Sequence, residues 1–263
     1  MTWLISLPAW VLVGGWLAAA LLAAIGSRLA LRALIPAGER DGAHAIAAPL
    51  MPALGATFAV LMGLTLASEA SFLASAQGIV SSEAADASRL AWAATSPGVR
   101  QGRIQAALLD YLRDTRAHEW PGSPAAGAGD PATARAIARL ENVVRAQAGR
   151  TAVGTPASTE LLAAVDALTS DRRARLAAAS HQLPVLYVVV LIISGAALIA
   201  TAAALSLRSG ARSALLVGGL SAVIGLSVAL LFALGTPWRG AIVVSGHPID
   251  TVIQDLRTGY FHA

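Results

Sequence analysis

The sequence predicts an all-α integral membrane protein with four transmembrane helices, of which the second and third extend into a helical layer outside the membrane. The chain of 263 residues is 56% hydrophobic and 13% charged, a balance typical of proteins that cross a membrane several times. Four uncharged stretches are each long enough to cross the hydrocarbon core. One of them continues into a polar stretch without a helix breaker.

Composition also excludes several classes of protein. There are no cysteines, so disulfides, cysteine zinc sites and thiol catalysis are ruled out. The 19 basic residues are all arginines, and the net charge of +4 is spread along the chain, without the basic cluster typical of nucleic-acid binders. His118 and Glu119 are adjacent, so on a helix they do not point at one metal ion. We expect no metal, no cofactor and no nucleic-acid partner.

No catalytic motif stands out. The sequence has no Ser-His-Asp order in a supporting context, no phosphate-cradling glycine loop and no nucleotide fingerprint. We therefore expect that the protein is not an enzyme.

The first span is residues 7–27. We interpret it as a retained helix and not as a cleaved signal peptide, because the first basic residue, Arg28, follows it. The third and fourth spans, residues 184–207 and 213–236, are joined by a short turn with Arg208 and are expected to form an antiparallel hairpin. Four spans place both termini and the polar layer on the same side.

The second span, residues 49–68, is the beginning of a longer helix. No proline lies between Pro52 and Pro97, and good helix formers fill the stretch. A helix over residues 49–97 is roughly 70 Å long, more than twice the thickness of the hydrocarbon core. The helix is therefore expected to extend from the lipid into water.

Two stripes run along this second span at helical spacing. Small residues recur every four positions and predict close packing between transmembrane helices: Gly55, Ala59, Gly63 and Ala67, repeated in the fourth span by Ser221 and Gly225. A second stripe lies on another face and is our hypothesis for a pore-lining or gating surface: Phe58, Met62, Thr65 and Glu69.

Glu69 lies where the helix changes from apolar to polar. A carboxylate there is costly against lipid and useful against water or another subunit. It is either a selectivity or gating charge, or an interfacial carboxylate that marks the helix exit. As a ring in a pore it favours cations.

Residues 69–182 are expected to form the extramembrane layer. Its 12 arginines nearly balance its 11 acidic residues, which is typical of a folded layer and not of a charged tail. One amphipathic helix is predicted over residues 103–116, and another opens at Asp130-Pro131 and runs to about Ala148. A third begins near Pro156 and runs to the membrane with a kink at Pro184.

The tail, residues 237–263, ends in a short amphipathic helix led by His247-Pro248. Its apolar positions follow helical spacing, and its charges are mixed, so we expect it to dock on the layer and not on a membrane surface.

A structural network is predicted to hold the layer together. Glu83, Asp86 and Arg89 follow each other at steps of three, so they are able to pair with one another or with Arg103 and Arg113. Tyr111 and Trp120 are expected to be core aromatics with a polar handle. We interpret the set as a network that ties helices together and not as a ligand site: Glu83, Asp86, Arg89, Tyr111, Glu119 and Trp120.

The charges near the membrane ends leave the orientation undecided. One side carries the arginines of the two short loops: Arg28, Arg32, Arg40, Arg208 and Arg212. The other side carries a nearly equal number: Arg172, Arg173, Arg175 and Arg239. The positive-inside rule therefore does not choose between them.

Several short motifs, taken in order, resemble a family of uncharacterised membrane proteins with a bestrophin-like domain. They are Val80, Glu83 and Ala84 after an apolar helix, then Tyr111, then Glu119-Trp120-Pro121, and a proline-led tail after the hairpin, Pro237-Trp238-Arg239-Gly240 through Val244 and Ser245. The resemblance covers residues 58–256. The tail departs from the family pattern at Trp238-Arg239, where we expect an aromatic residue after the proline and then a small or polar one.

The resemblance implies kinship with bestrophins, which are pentameric anion channels whose second helix lines the pore and whose helical layer is cytosolic. The sequence and the resemblance together lead to the expectation of a homo-oligomeric, ion channel-like protein in the cell (inner) membrane. Its partners would be the lipid bilayer, further copies of the chain and inorganic ions. The alternative is a non-conducting sensor or scaffold whose helical layer binds a protein.

Overall fold

The computed structural model is all-helical. It describes residues 9–120, 123, 128–181, 183–207, 211–235, 237–238 and 242–261. Within these ranges there are eight α-helices, one short 3-10 turn and no strand, which confirms the predicted fold class. The helices are α1 (Ala9–Leu34), α2 (Arg40–Ala93), α3 (Gln101–His118), α4 (Pro131–Ala148), α5 (Thr155–Ala179), α6 (Val185–Leu205), α7 (Ala211–Leu234) and α8 (His247–Thr258).

Four helices are long and apolar enough to cross a membrane. They contain the segments Trp10–Leu34 of α1, Arg40–Ala93 as the whole of α2, Val185–Leu205 as α6 and Ser213–Leu234 of α7. These segments overlap the four predicted spans. The predicted span ends at residues 7–8 and 236, and the turn residues 208–210, lie outside the described residues.

The chain divides into two compact units. We call residues 1–71, 182–236 and 240–242 the membrane unit, and residues 72–181, 237–239 and 243–263 the polar unit. The continuous helix α2 contributes its first part to the membrane unit and its remainder to the polar unit.

The membrane unit is packed around α1, α6 and α7, which contact one another. Small residues on α7 make the contact with α1 close. A Cβ added at Gly225 would lie 2.8 Å from the backbone oxygen of Trp16 and 3.0 Å from the Cβ of Ala20, so only glycine fits there. The buried hydroxyl of Ser221 donates to the backbone oxygen of Val217 at 2.8 Å. Of the two residues, Gly225 is therefore the one in close contact with α1, whereas the hydrogen bond of Ser221 stays within α7.

The polar unit has its own hydrophobic core. The helix α4 contacts both α3 and α5, and their inward faces bury Leu108, Leu140 and Leu168 among others. The side chain of Asp130 caps α4 as predicted, accepting hydrogen bonds from the backbone nitrogens of Ala132 at 2.7 Å and Thr133 at 3.2 Å. The predicted end of this helix at Ala148 is also confirmed.

The C-terminal helix α8 belongs to this unit and contacts α3. It begins at His247, as its proline-led start predicts, and it buries Ile249, Val252 and Ile253. The amphipathic tail therefore docks on the layer. Just after the end of α8, the backbone oxygen of Phe261 accepts a hydrogen bond from the side-chain amide of Gln101 at 2.7 Å.

The predicted extents of two long helices differ from the structure. The long helix α2 begins at Arg40 instead of residue 49 and ends at Ala93 instead of residue 97. The helix predicted to run through a kink at Pro184 is instead two helices. The first, α5, ends at Ala179, and the second, α6, begins at Val185. Proline has no N–H and disfavours the α conformation in the residue before it, so Pro184 stands at the cap of α6 and not inside a helix.

Candidate functional site

The buried carboxylate of Glu83 is the centre of a charge network in the polar unit. Glu83 lies on the face of α2 that carries Val80, Ala84 and Ala87, all of which are buried. Its Oε1 accepts a hydrogen bond from the hydroxyl of Tyr111 at 2.5 Å. The guanidinium of Arg175 donates from Nε to Oε2 at 2.6 Å and from Nη2 to Oε1 at 3.3 Å. All three side chains are fully buried.

A second buried carboxylate, Glu119, closes α3. Its Oε2 accepts from Nη2 of Arg175 at 2.9 Å. Its Oε1 accepts from Nη2 of Arg172 and from the backbone nitrogen of Asp130 at 3.0 Å. Arg175 thus bridges two carboxylates, and the network joins α2, α3, α5 and the residue that caps α4.

The charges of this network balance. Two guanidinium groups face two carboxylates, which suits a site without water because an unpaired buried ion is costly. Burial alone lowers the pKa of Arg175, but Glu83, Tyr111 and Glu119 more than offset that effect, so the pKa lies above its ordinary value. Burial, followed by the charge of Glu83, raises the pKa of the Tyr111 hydroxyl well above its ordinary value. Tyr111 is therefore a protonated donor to Glu83.

Trp120 forms an aromatic side of the network. The guanidinium carbons of Arg116 and Arg175 lie 5.0 and 5.6 Å from the centroid of its ring, within reach of cation–π attraction. The ring of Trp238 meets it edge to face at 5.7 Å. A Cβ added at Gly246 would lie 2.6 Å from Arg116 and 2.8 Å from Nε1 of Trp120, so the chain before α8 needs glycine there.

Four of the six predicted network residues meet in this cluster, and two lie apart from it. Glu83, Tyr111, Glu119 and Trp120 come together as described. Arg89 instead pairs with Glu160 on the surface, with Nε to Oε1 at 2.6 Å, and Asp86 lies beside Asp171. The predicted alternative partners Arg103 and Arg113 take no part. Pro121, Arg239 and Gly240 of the family motifs lie outside the described residues.

Sequence reasoning missed the two arginines that neutralise the network. From the sequence alone, Arg172 and Arg175 count among the charges that flank the membrane. They continue the buried face of α5 that begins with Leu161, Val165 and Leu168, at helical steps of three and four. That spacing, together with two buried carboxylates in need of cations, is the signal that identifies them.

Three of the four hypothetical pore-lining residues are buried within their own chain, and Thr65 is half-buried. Phe58 is 7% exposed and Met62 4%, and both belong to the core of the membrane unit with residues of α6 and α7. The hydroxyl of Thr65 donates to the backbone oxygen of Leu61 at 2.7 Å, and Glu69 is buried. Phe58 and Met62 therefore do not face a space outside the chain, because neighbouring helices cover them.

The small-residue stripe of α2, in contrast, lies on the exposed side of the helix. Ala59, Gly63 and Ala67 are exposed, and Gly55 is half-buried. A Cβ added at Gly55 or Gly63 would meet nothing within 4 Å. The expected close packing of this stripe is thus not made within the described part of the chain, unlike that of Ser221 and Gly225.

Comparisons with known proteins agree with the helical membrane architecture. A family model described as Bestrophin-like domain matches residues 18–249. The chain is similar to a crystal structure of a membrane protein, with a TM-score of 0.69 and 14% sequence identity, over 95% of this chain and 99% of the other. At that identity the likeness shows the fold alone. The chain matches no curated protein sequence.

Proposed function

We propose, because this chain belongs to the Bestrophin-like domain family, that this membrane protein is a homo-oligomeric, ion channel-like protein of the cell membrane. The four long apolar helices support its contact with the lipid bilayer. The family relationship supports the channel, since bestrophins are oligomeric channels whose second helix lines the pore. Inorganic ions are the permeating species that this proposal implies.

The observation that carries the proposal is the small-residue face of α2, which no described part of the chain covers. A transmembrane helix whose exposed side chains are small allows another helix to approach its backbone closely. Ala59, Gly63 and Ala67 provide such a face, while Phe58 and Met62 are already used for packing within the chain. A second copy of the protein is the partner that this face fits best.

The same face is our revised candidate for the wall of a conduit. Exposed positions of α2 between Ala56 and Ala70 cover about half of the helix circumference. Small residues fill one side of this arc, and Val60 and Leu64 occupy the other. An arc of that width is able to contact neighbouring copies and to face a central path at the same time. Thr65 and Glu69 would then support the wall from behind.

Reconstitution tests conduction directly. Purified protein in planar bilayers is expected to give discrete ion currents under a salt gradient, with detergent alone as the control. Absence of current under every ionic gradient tried, from protein that keeps its helical content, would reject the conduit. The non-conducting sensor or scaffold would then be the better account.

We further propose that the polar unit is cytoplasmic, as the helical layer of bestrophins is. The arginines near the membrane ends are nearly equal in number on the two sides and do not choose between the orientations, so a direct measurement decides. The chain has no native cysteine, and Ala128 is exposed. In intact cells, Ala128→Cys is expected to resist a membrane-impermeant maleimide and to react after lysis. Labelling before lysis would place the unit outside.

A further inference from the structure

A basic cleft lies between α3 and α8 on the surface of the polar unit. Its volume is about 520 Å³, and it is open to water. Three arginines line it, Arg113 and Arg116 from α3 and Arg257 from α8. The cleft contains one acidic side chain, Asp250, and one amide, Gln254.

The charges of the cleft are not balanced. Arg116 forms a bidentate ion pair with Asp250, from Nε to Oδ1 at 2.6 Å and from Nη2 to Oδ2 at 3.0 Å. Arg113 and Arg257 are exposed and have no ion-pair partner among the residues that the structure describes. Three guanidinium groups against one carboxylate leave a local charge of +2. The buried network around Glu83, by contrast, is neutral.

The helices hold these side chains in a fixed frame. Asp250, Gln254 and Arg257 lie at steps of four and three on one face of α8, and Arg113 and Arg116 lie three apart on α3. Ile253 of the same α8 face is buried against the unit and forms the floor. The Arg116 guanidinium is fixed on both sides, by Asp250 and by the ring of Trp120 at 5.0 Å.

We infer that this cleft binds a multiply charged ligand through a phosphate group. Guanidinium forks match the oxygens of phosphate and form strong charge-assisted hydrogen bonds with them. A local charge of +2 suits a phosphate with two negative charges better than a single carboxylate. The volume falls within the range of small-ligand sites, and the charged, open lining suits a hydrated anion and not an apolar molecule. This site shares no residue with the proposed conduit wall and does not depend on it.

The test uses the full chain in nanodiscs of zwitterionic lipid and titrates inorganic pyrophosphate at low ionic strength, with sodium chloride at matched ionic strength as the reference. Wild type is expected to bind pyrophosphate. Replacing both unpaired arginines, Arg113→Gln with Arg257→Gln, is expected to weaken binding by about tenfold or more, since each charge-assisted bond carries substantial affinity. The matched control is Arg135→Gln with Arg139→Gln, which removes two exposed arginines of α4 and is expected to leave binding unchanged.

A second arm separates a soluble phosphate from a lipid headgroup. Nanodiscs that contain phosphatidic acid are compared with zwitterionic ones by the thermal stability of the protein. Stabilisation by phosphatidic acid that is lost in the cleft variant but not in the control variant supports a lipid source. Binding of pyrophosphate with the same pattern supports a soluble one.

Two results would overturn the inference. One is the absence of binding by wild type in both arms. The other is an equal loss in the cleft and control double variants, which would assign the effect to overall charge. If the cleft double variant fails to fold, Ala117→Glu places a carboxylate at the exposed edge of the cleft while keeping every arginine. It is expected to reduce binding, and unchanged binding would likewise overturn the inference.

Discussion

At Arg175 the two buried carboxylates of the polar unit share one cation. Its Nε and Nη2 reach Glu83 and its Nη2 also reaches Glu119, with N···O distances from 2.6 to 3.3 Å. Removing one member of such a group leaves another charged and buried, and that loss is larger than the net contribution of the intact pair. The network is therefore expected to make the folding of α2, α3 and α5 depend on one another.

Replacing Arg175 by leucine tests this dependence. Arg175→Leu is expected to lower the free energy of unfolding by about 3–5 kcal/mol, because it leaves Glu83 without its cation. The matched control Arg173→Leu removes an exposed arginine of the same helix and is expected to change little. Denaturant unfolding followed by tryptophan fluorescence measures both, since Trp120 adjoins the site. Equal effects of the two variants would contradict the account.

Tyr111 gives a pH-dependent test of the same network. Burial and the charge of Glu83 raise the pKa of its hydroxyl, whereas in the unfolded chain a tyrosine titrates near about 10. The stabilisation is thus fully present below pH of about 10 and is lost as the pH rises further toward the folded-state pKa. Wild type and Tyr111→Phe are expected to show equal phenolate absorbance until the polar unit unfolds. Extra phenolate in folded wild type near pH of about 10 would contradict the raised pKa.

Residue roles were predictable where local pattern determines them. Asp130 before Pro131 is predicted as an N-cap from residue type alone, and in the structure it is the N-cap of α4. Arg172 and Arg175 continue the helical spacing of the buried face of α5, but their place near a membrane end offers a second interpretation, as charges that flank the membrane. Only the long-range contacts with Glu83 and Glu119 distinguish the two, and a single sequence does not contain them.

At the scale of the element, α2 shows which features helical periodicity predicts and which it does not. The spacing of its residues separates two faces, one small and one large, and both faces exist in the structure. Which face packs within the chain depends on where α6 and α7 lie, and periodicity does not determine that. Phe58 and Met62 are in the core, whereas the small face, expected to pack closely, has no packing partner among the residues that the structure describes.

The break between α5 and α6 has a local cause. A proline inside an apolar context is compatible with either a kink or a helix start. The φ of −59° and ψ of 121° at Pro184 are those of a residue before a helix. The sequence therefore identifies the position of the interruption, and its geometry follows only from the fold.

For the whole molecule, the fold class was predictable because composition and four long apolar stretches determine it. The division into a membrane unit and a polar unit between Ser71 and Phe72 lies close to the change from uncharged to balanced charge after Ser68. The way in which copies assemble was not predictable from the sequence. The face that would form the contact is the one that the rest of the chain leaves uncovered.

The most direct test of the central proposal is the mass of the assembled protein. In nanodiscs, wild type is expected at a multiple of the 26.7 kDa chain. Gly63→Leu adds a side chain where no residue that the structure describes lies within 4 Å, so the chain should fold as before while most of the oligomer is lost. Gly14→Leu, at an exposed glycine of α1 that is equally open, should remain oligomeric. A monomeric wild type, or an intact oligomer of Gly63→Leu, would contradict assembly through this face of α2.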